Sequence, residues 1–286
     1  TAVPPPRLPP PPVPPTCAFP PSPTHAPPAH IQSAGALEPT LFSVREVVTD
    51  EGHAQRVKTK LAELSPRAWE LVWKGFLTCA DQREMMLYRF IRRLLREGPS
   101  LLRRLTADEV LPLTKAVQHL ESEAHLLKGF VRFSDLGGVL TGEIRPKNRV
   151  LPLLRPHFCA RCQGERFLLY DRSHHEVLLS QDGKWCISPL EEFTMAAPDE
   201  TEANFRRLWK RFYDTIAIEE RYNPKTRRTH MPMRYWETMT EFQDASFFTP
   251  GPQTPGGAGP GPAAPDGIPA PGIPTESGPS GPGSAP

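Results

Sequence analysis

TADEVLPLTKAVQHLESEAHLLKGFVRFSDLGGVLTGEI, residues 106–144, decides the fold, because its hydrophobic period changes partway along. Val110, Leu113, Val117, Leu120, Ala124 and Leu127 recur at three- and four-residue spacing. That spacing lines one face of an α-helix with apolar side chains. Thr106 and Glu109 stand at capping-box distance, so Thr106 is expected as the N-cap with Glu109 reaching back to it. Gly129 is expected to break the helix. Beyond it FVRF (130–133) alternates, Leu136-Gly137-Gly138 reads as a turn, and residues 139–144 return as the partner strand.

Upstream the pattern stays helical. Ser65-Pro66 is a helix start, a hydroxyl N-cap followed by proline at the first helical position. Trp69, Val72, Trp73 and Phe76 then repeat at helical spacing, and Val57, Leu61 and Leu64 do so before it. Residues 81–96 carry Met85, Tyr88, Ile91 and Leu95 on one stripe and Arg83, Arg89, Arg92, Arg93 and Arg96 on another, with Gly98-Pro99 as the stop. These arginines are either a solvated face paired to acids or a phosphate-contacting stripe. Residues 41–48 read as a short strand or a lead-in segment.

Downstream come more strands. FLLYD (167–171) is a third, and residues 176–180 and 185–188 flank an Asp182-Gly183 turn as a second hairpin. PHFCARC (156–162) falls in a short helix between them. The last helix, from about Asp199, has Phe205, Leu208, Trp209, Phe212 and Ile216 on one face, which is expected to meet the core. Asn223-Pro224 ends it, and a basic loop (225–230) leads to Arg234-Tyr235-Trp236. Helices, then strands, then a helix predict an α+β domain. It has N-terminal helices, a central antiparallel sheet of about five strands, and a C-terminal helix plus a basic, aromatic segment.

Composition sets the limits. The 286 residues include 37 prolines and 20 glycines, concentrated in residues 1–39 and 246–286. Those tails are expected to be disordered, because they hold too little apolar surface to offset backbone ordering. Residues 40–245 are expected to form one domain. No apolar run reaches membrane-spanning length, and no charged-then-apolar leader opens the sequence. Five cysteines, an odd number without a secretion signal, predict a reducing, cytoplasmic location.

Between Asn204 and Trp236 nine Lys/Arg stand against three acids, a net of +6, while the whole chain carries only +2. A basic element interleaved with aromatics predicts a surface for phosphate. Other constellations are weaker. Cys159-x-x-Cys162 supplies two of the four ligands a zinc ion needs, and no second pair has metal-ligand spacing, so no metal and no cofactor are expected. Glu121, Glu123 and His125 have the chemistry for acid–base work, or are structural. Glu219, Glu220 and Arg221 form either a carboxylate site or an ion-pair clamp. In the clamp, Arg221 is expected to fork onto Glu220, Asp171 or Glu123.

ESEAHLLKGFVRF (121–133), PHF with Arg161 following (156–161), LLYDR (168–172), IAIEERYNP (216–224) and MPMRYW (231–236) stand in an order that resembles one bacterial family. Its members are described only as DNA-metabolism proteins. They are encoded beside a radical-SAM protein with a DNA repair or modification role, and some are fused to a uracil-DNA-glycosylase-like domain. Members open with a further strand and helix before the position of Leu41, where this chain has its Pro-rich segment. The resemblance implies a DNA-binding accessory acting with the radical-SAM partner. Candidate nucleic-acid contacts are Lys128, Arg132, Arg161, Arg221, Lys225, Arg227, Arg228, Arg234, Tyr235 and Trp236, with Tyr235 or Trp236 available to stack on a base. One alternative is an enzyme acting on DNA or a nucleobase, with Glu123, His125 and Glu220 as acid–base candidates. The other is a protein–protein adapter whose basic face meets an acidic surface.

Overall fold

The computed structural model describes residues 28, 30, 31, 44, 46–216 and 223–242; the expectations for the two tails fall almost wholly outside them. Four helices come first: α1 (Glu51–Leu64), α2 (Pro66–Leu77), α3 (Arg83–Glu97) and α4 (Val110–Phe130). Ser65 caps α2 as its sequence predicts, its hydroxyl accepting from the Ala68 N–H. The apolar stripes of these helices meet in one core with Leu61, Val72, Phe90, Leu94 and Leu113 at its centre. Val44 and residues 46–48 have no regular structure and are exposed, so the strand reading of 41–48 does not hold where it is described.

Two details of α4 differ from expectation. It starts at Val110, and the Glu109 carboxylate takes Arg93 of α3 in place of the Thr106 backbone. An ion pair between elements has replaced the local cap. Gly129 does not end the helix, which runs one residue further to Phe130. The first strand therefore begins at Phe133.

The strands are β1 (Phe133–Asp135), β2 (Leu140–Ile144), β3 (Phe167–Asp171), β4 (Glu176–Gln181) and β5 (Lys184–Pro189), ordered β1-β2-β3-β4-β5 in one sheet. The α+β class and the two hairpins are as expected. The sheet is mixed, however, because β2 pairs β3 in parallel while the other three pairings are antiparallel. A parallel neighbour needs a crossover, and α5 (Leu151–Arg161) supplies it. Leu151, Leu154 and Phe158 of α5 are buried, and Phe133 meets the rings of Phe158 and Phe167 edge-on at 5.4 and 5.9 Å.

The C-terminal part comprises α6 (Glu200–Ile216), α7 (Pro224–His230) and two short 3-10 turns, Met233–Thr238 and Thr240–Phe242. The expected basic loop 225–230 is thus helical. Asn223 caps it, its side chain accepting from the Thr226 N–H at 3.0 Å, and Pro224 fills the first position. The turns form a strap that buries Tyr235, Met239, Glu241 and Phe242.

The phase of α6 is rotated by roughly a quarter turn from expectation. Glu202 is buried and accepts from the Asp135 N–H at 3.1 Å and from Arg206 at 2.8 Å, while Arg206 donates to Ser134 at 2.7 Å. Further along, Tyr213 packs edge-on against Phe242. The helix is therefore held by a polar stripe through Glu202, Arg206 and Tyr213. Its apolar stripe faces solvent, with Phe205, Leu208, Phe212 and Ile216 at 53–62% exposure and Trp209 at 40%.

Candidate nucleic-acid interface

The C-terminal strap begins at a carboxylate. Glu123 lies on the buried side of α4, with its side chain 1% exposed. Its oxygens accept from the backbone N–H of Lys147 (3.0 Å) and Asn148 (2.8 Å) and from Asn148 Nδ2 (2.6 Å). Arg234 pairs with it at 3.2 Å and donates to the Tyr235 hydroxyl, over whose ring its guanidinium sits at 4.6 Å. Asn148 extends the network by donating to His119 Nδ1 and accepting from the Cys79 N–H. One carboxylate thus ties α4, the loop before α5, the loop after α2 and the strap together. Every oxygen it offers is occupied, as buried charge requires.

This network neutralises Arg234, which stays exposed, and removes Tyr235 from the expected contact surface. Tyr235 is 1% exposed and lies against Phe130, at 5.3 Å between ring centroids. It cannot stack on a base. Burial, together with the nearby Glu123, pushes its hydroxyl pKa up against the pull of Arg234. Trp236 is half-buried and stacked on Phe242 at 4.7 Å, with the Arg227 guanidinium 4.8 Å from its ring. Its indole N–H donates to the Met231 carbonyl. Trp236 and Arg227 thus serve each other.

Arg132 is also spent internally. It reaches Glu241 through Nε (3.2 Å to each oxygen) and Nη2 (2.7 Å), and donates to the Gly129 and Val131 carbonyls. The Glu241 side chain is fully buried. Arg132 and Glu241 form a buried ion-pair clamp that the sequence did not announce. Glu220 and Arg221 themselves lie outside the described residues. Asp171, named as a possible partner for Arg221, is buried and accepts from the Ser173 and His174 N–H groups and from His174 Nδ1.

His125 is exposed and Glu123 is buried. Residues two apart on a helix point to nearly opposite sides, so these two acid–base candidates do not meet. The α3 arginines divide. Arg83 and Arg93 pair with Glu84, Glu97 and Glu109, and Arg92 rests on Tyr88, whereas Arg89 and Arg96 are exposed. The cysteine pair shows ordinary thiol surroundings. Cys159 Sγ is 3.8 Å from Ser180 Oγ, and burial raises the Cys162 thiol.

Four candidates remain exposed and pair with no carboxylate among the described residues: Lys128, Arg161, Lys225 and Arg228. Lys128 lies in the last turn of α4 and Arg161 ends α5. Both approach His157 of α5 closely enough that their charges, after burial itself, hold the imidazole below its usual pKa. His157 Nε2 is shielded from water and has no hydrogen-bond partner among the described residues. Arg161 stands one turn after His157 on α5, and α5 packs on α4, whose last turn carries Lys128. Lys225 and Arg228 project from α7.

Sequence reasoning missed Asn148 and Glu241. Asn148 sits in an unpatterned loop, and nothing local marks it. Glu241 carries one weak signal, an acid in an apolar context (Met239-Thr240-Glu241-Phe242).

Residues 81–241 match the family described as a domain of unknown function, DUF4130. No curated protein and no solved structure matches. The match covers more than half of the chain and every motif from Glu121 to Trp236, so the chain belongs to the DUF4130 family. The family description carries no activity, substrate or partner. Among the described residues no helix is long and apolar enough to cross a membrane.

Proposed function

Starting from that membership, we propose that this DUF4130 protein is a DNA-binding accessory in DNA repair or modification, acting with a radical-SAM partner. The observation that carries the DNA contact is the group Lys128, His157 and Arg161. It combines two exposed cations without a described carboxylate partner and a shielded imidazole nitrogen without a described hydrogen bond. A phosphate oxygen supplies the negative charge that the two cations lack, and through its charge favours the nearby imidazolium of His157. Lys225 and Arg228 on α7 add two further exposed cations. The radical-SAM partner rests on the family resemblance alone. The acid–base alternative finds no partner for His125 among the described residues, since Glu123 is fully engaged and Glu121, one turn before His125, pairs with Lys74.

The test is a mobility shift at low salt with single- and double-stranded oligonucleotides. Retardation by the wild-type protein, weakened in a Lys128→Ala/Arg161→Ala variant of unchanged melting temperature, is the expected result. No retardation of either form at micromolar protein overturns the DNA contact. Co-purification of the co-expressed radical-SAM protein after nuclease treatment tests the partner separately.

A further inference from the structure

The outward stripe of α6 is the most apolar exposed element among the described residues of the C-terminal part. Phe205, Leu208, Trp209, Phe212 and Ile216 follow one another at spacings of three, one, three and four residues, and each is at least 40% exposed. That spacing is what a helix presents to a neighbouring helix. The stripe is about three turns long, or about 16 Å at 1.5 Å per residue. The body reaches the stripe at Trp209, over whose ring the Arg132 guanidinium lies at 5.5 Å, and otherwise holds α6 through Glu202, Arg206 and Tyr213, leaving Phe205, Leu208, Phe212 and Ile216 exposed.

Charge decides what covers it. Arg207 and Arg211 are exposed and lie on the flank of the stripe away from the body, next to Leu208. A second copy of this chain, paired by a two-fold axis with antiparallel helices, sets that flank against itself, arginines against arginines. A single-stranded nucleic acid is served by the cations but not by Leu208 and Ile216, and Trp209 and Phe212 already stack on each other at 5.7 Å. An amphipathic helix with a leucine- or phenylalanine-rich face and flanking Asp/Glu satisfies both features. It covers the apolar stripe and neutralises the arginines.

We propose that the outward face of α6 is the docking site for an acidic amphipathic helix of about three turns from a partner protein. The proposal stands apart from the DNA contact, since it uses none of Lys128, His157, Arg161, Lys225 or Arg228.

The probe is a synthetic helical peptide with Leu and Phe at helical spacing and flanking Glu, labelled with fluorescein and titrated with the full chain while anisotropy is read. Its controls are the same peptide with Lys in place of Glu, and a sequence-scrambled peptide. The acidic peptide is expected to bind at least about tenfold more tightly than either control, and to weaken with added salt. Leu208→Ser/Phe212→Ser is expected to abolish binding, and Arg207→Glu/Arg211→Glu to weaken it about tenfold. Because these four side chains are exposed, each variant should melt at the wild-type temperature. Equal binding of acidic and basic peptides, or none, overturns the proposal. So does concentration-dependent dimerisation of the wild type, in sedimentation, that the Leu208→Ser/Phe212→Ser change removes. Competition by an oligothymidine that the same change abolishes assigns the face to nucleic acid and also overturns it.

Discussion

Arg132 and Arg228 are both arginines in a basic neighbourhood, and the fold has given them opposite tasks. Arg132 neutralises Glu241, whose side chain is fully buried, and also satisfies two backbone carbonyls at the end of α4. Arg228 stands on the surface of α7 without a described carboxylate. Arg132→Ala leaves a buried charge unpaired and is expected to cost about 3–5 kcal/mol, read as a lower melting temperature or urea midpoint. Arg228→Ala should stay within about 0.5 kcal/mol of wild type. Equal melting of the two variants would refute the Arg132–Glu241 clamp. His157 makes a pH prediction. Its folded pKa lies below the ordinary histidine value, because burial and the Lys128 and Arg161 charges disfavour the imidazolium. The unfolded chain therefore binds the proton more readily. Its contribution to stability is complete above the ordinary value and is lost as pH falls from there through the folded pKa. Bound phosphate reverses the balance by favouring the imidazolium. DNA affinity should then rise as pH falls below about 6.5 in wild type and be flat in His157→Gln, with an upward shift of the imidazole titration seen by NMR.

At the scale of elements, close packing and capping are open to test. A Cβ on Gly75 of α2 would come within 2.7 Å of Leu87 and 2.8 Å of Leu113, both wholly buried. The absence of a side chain lets α2, α3 and α4 approach one another there. Gly75→Ala gains helix propensity but overpacks the core, and a net loss of about 1–3 kcal/mol is expected in denaturant titrations. Stabilisation by this change would show that the three helices do not meet as described. Asn223 is the only N-terminal side-chain cap of α7, a helix of 7 residues without a buried side chain. Asn223→Ala should cost about 1 kcal/mol of local stability, seen as faster amide exchange in residues 226–230 with the α4 and sheet amides unchanged.

At the scale of the molecule, the net charge of +2 is too small to draw DNA from a distance, so the proposed DNA contact would rely on local cations. Each phosphate contact removed should lower the slope of log K against log salt by about 1, and Lys128→Ala/Arg161→Ala by about 2. The same slope in that variant and in wild type would place the contact elsewhere. The organisation of the chain also explains why its basic C-terminal segment is only partly a surface. Tyr235, Met239 and Phe242 enter the core, and Glu123 and Glu241 neutralise Arg234 and Arg132 within the strap.

Local pattern alone determined the elements. The 3.6-residue stripe of α4, the Ser65-Pro66 start of α2, the FLLYD strand and the Asp182-Gly183 turn are each set by neighbours in sequence. Propensity, capping and turn geometry act over a few residues. The DUF4130 match over residues 81–241 likewise rests on sequence alone. Tertiary contact decided the rest. Whether β3 runs parallel or antiparallel to β2 depends on whether the connection returns the chain to the end of the sheet where β2 began, as the α5 crossover does. A carboxylate such as Glu123 looks the same in sequence whether it is a base or a sealed anchor, and only the arrival of Asn148 and Arg234 makes it the latter. The phase of α6 is the clearest case. Its amphipathic pattern states which side chains share a face, but which face turns inward was settled by the contacts of Glu202 with Asp135 and of Arg206 with Ser134, made by residues far apart in the chain. Buried polar groups that must find partners held the helix by its polar side, and its apolar side was left to the solvent.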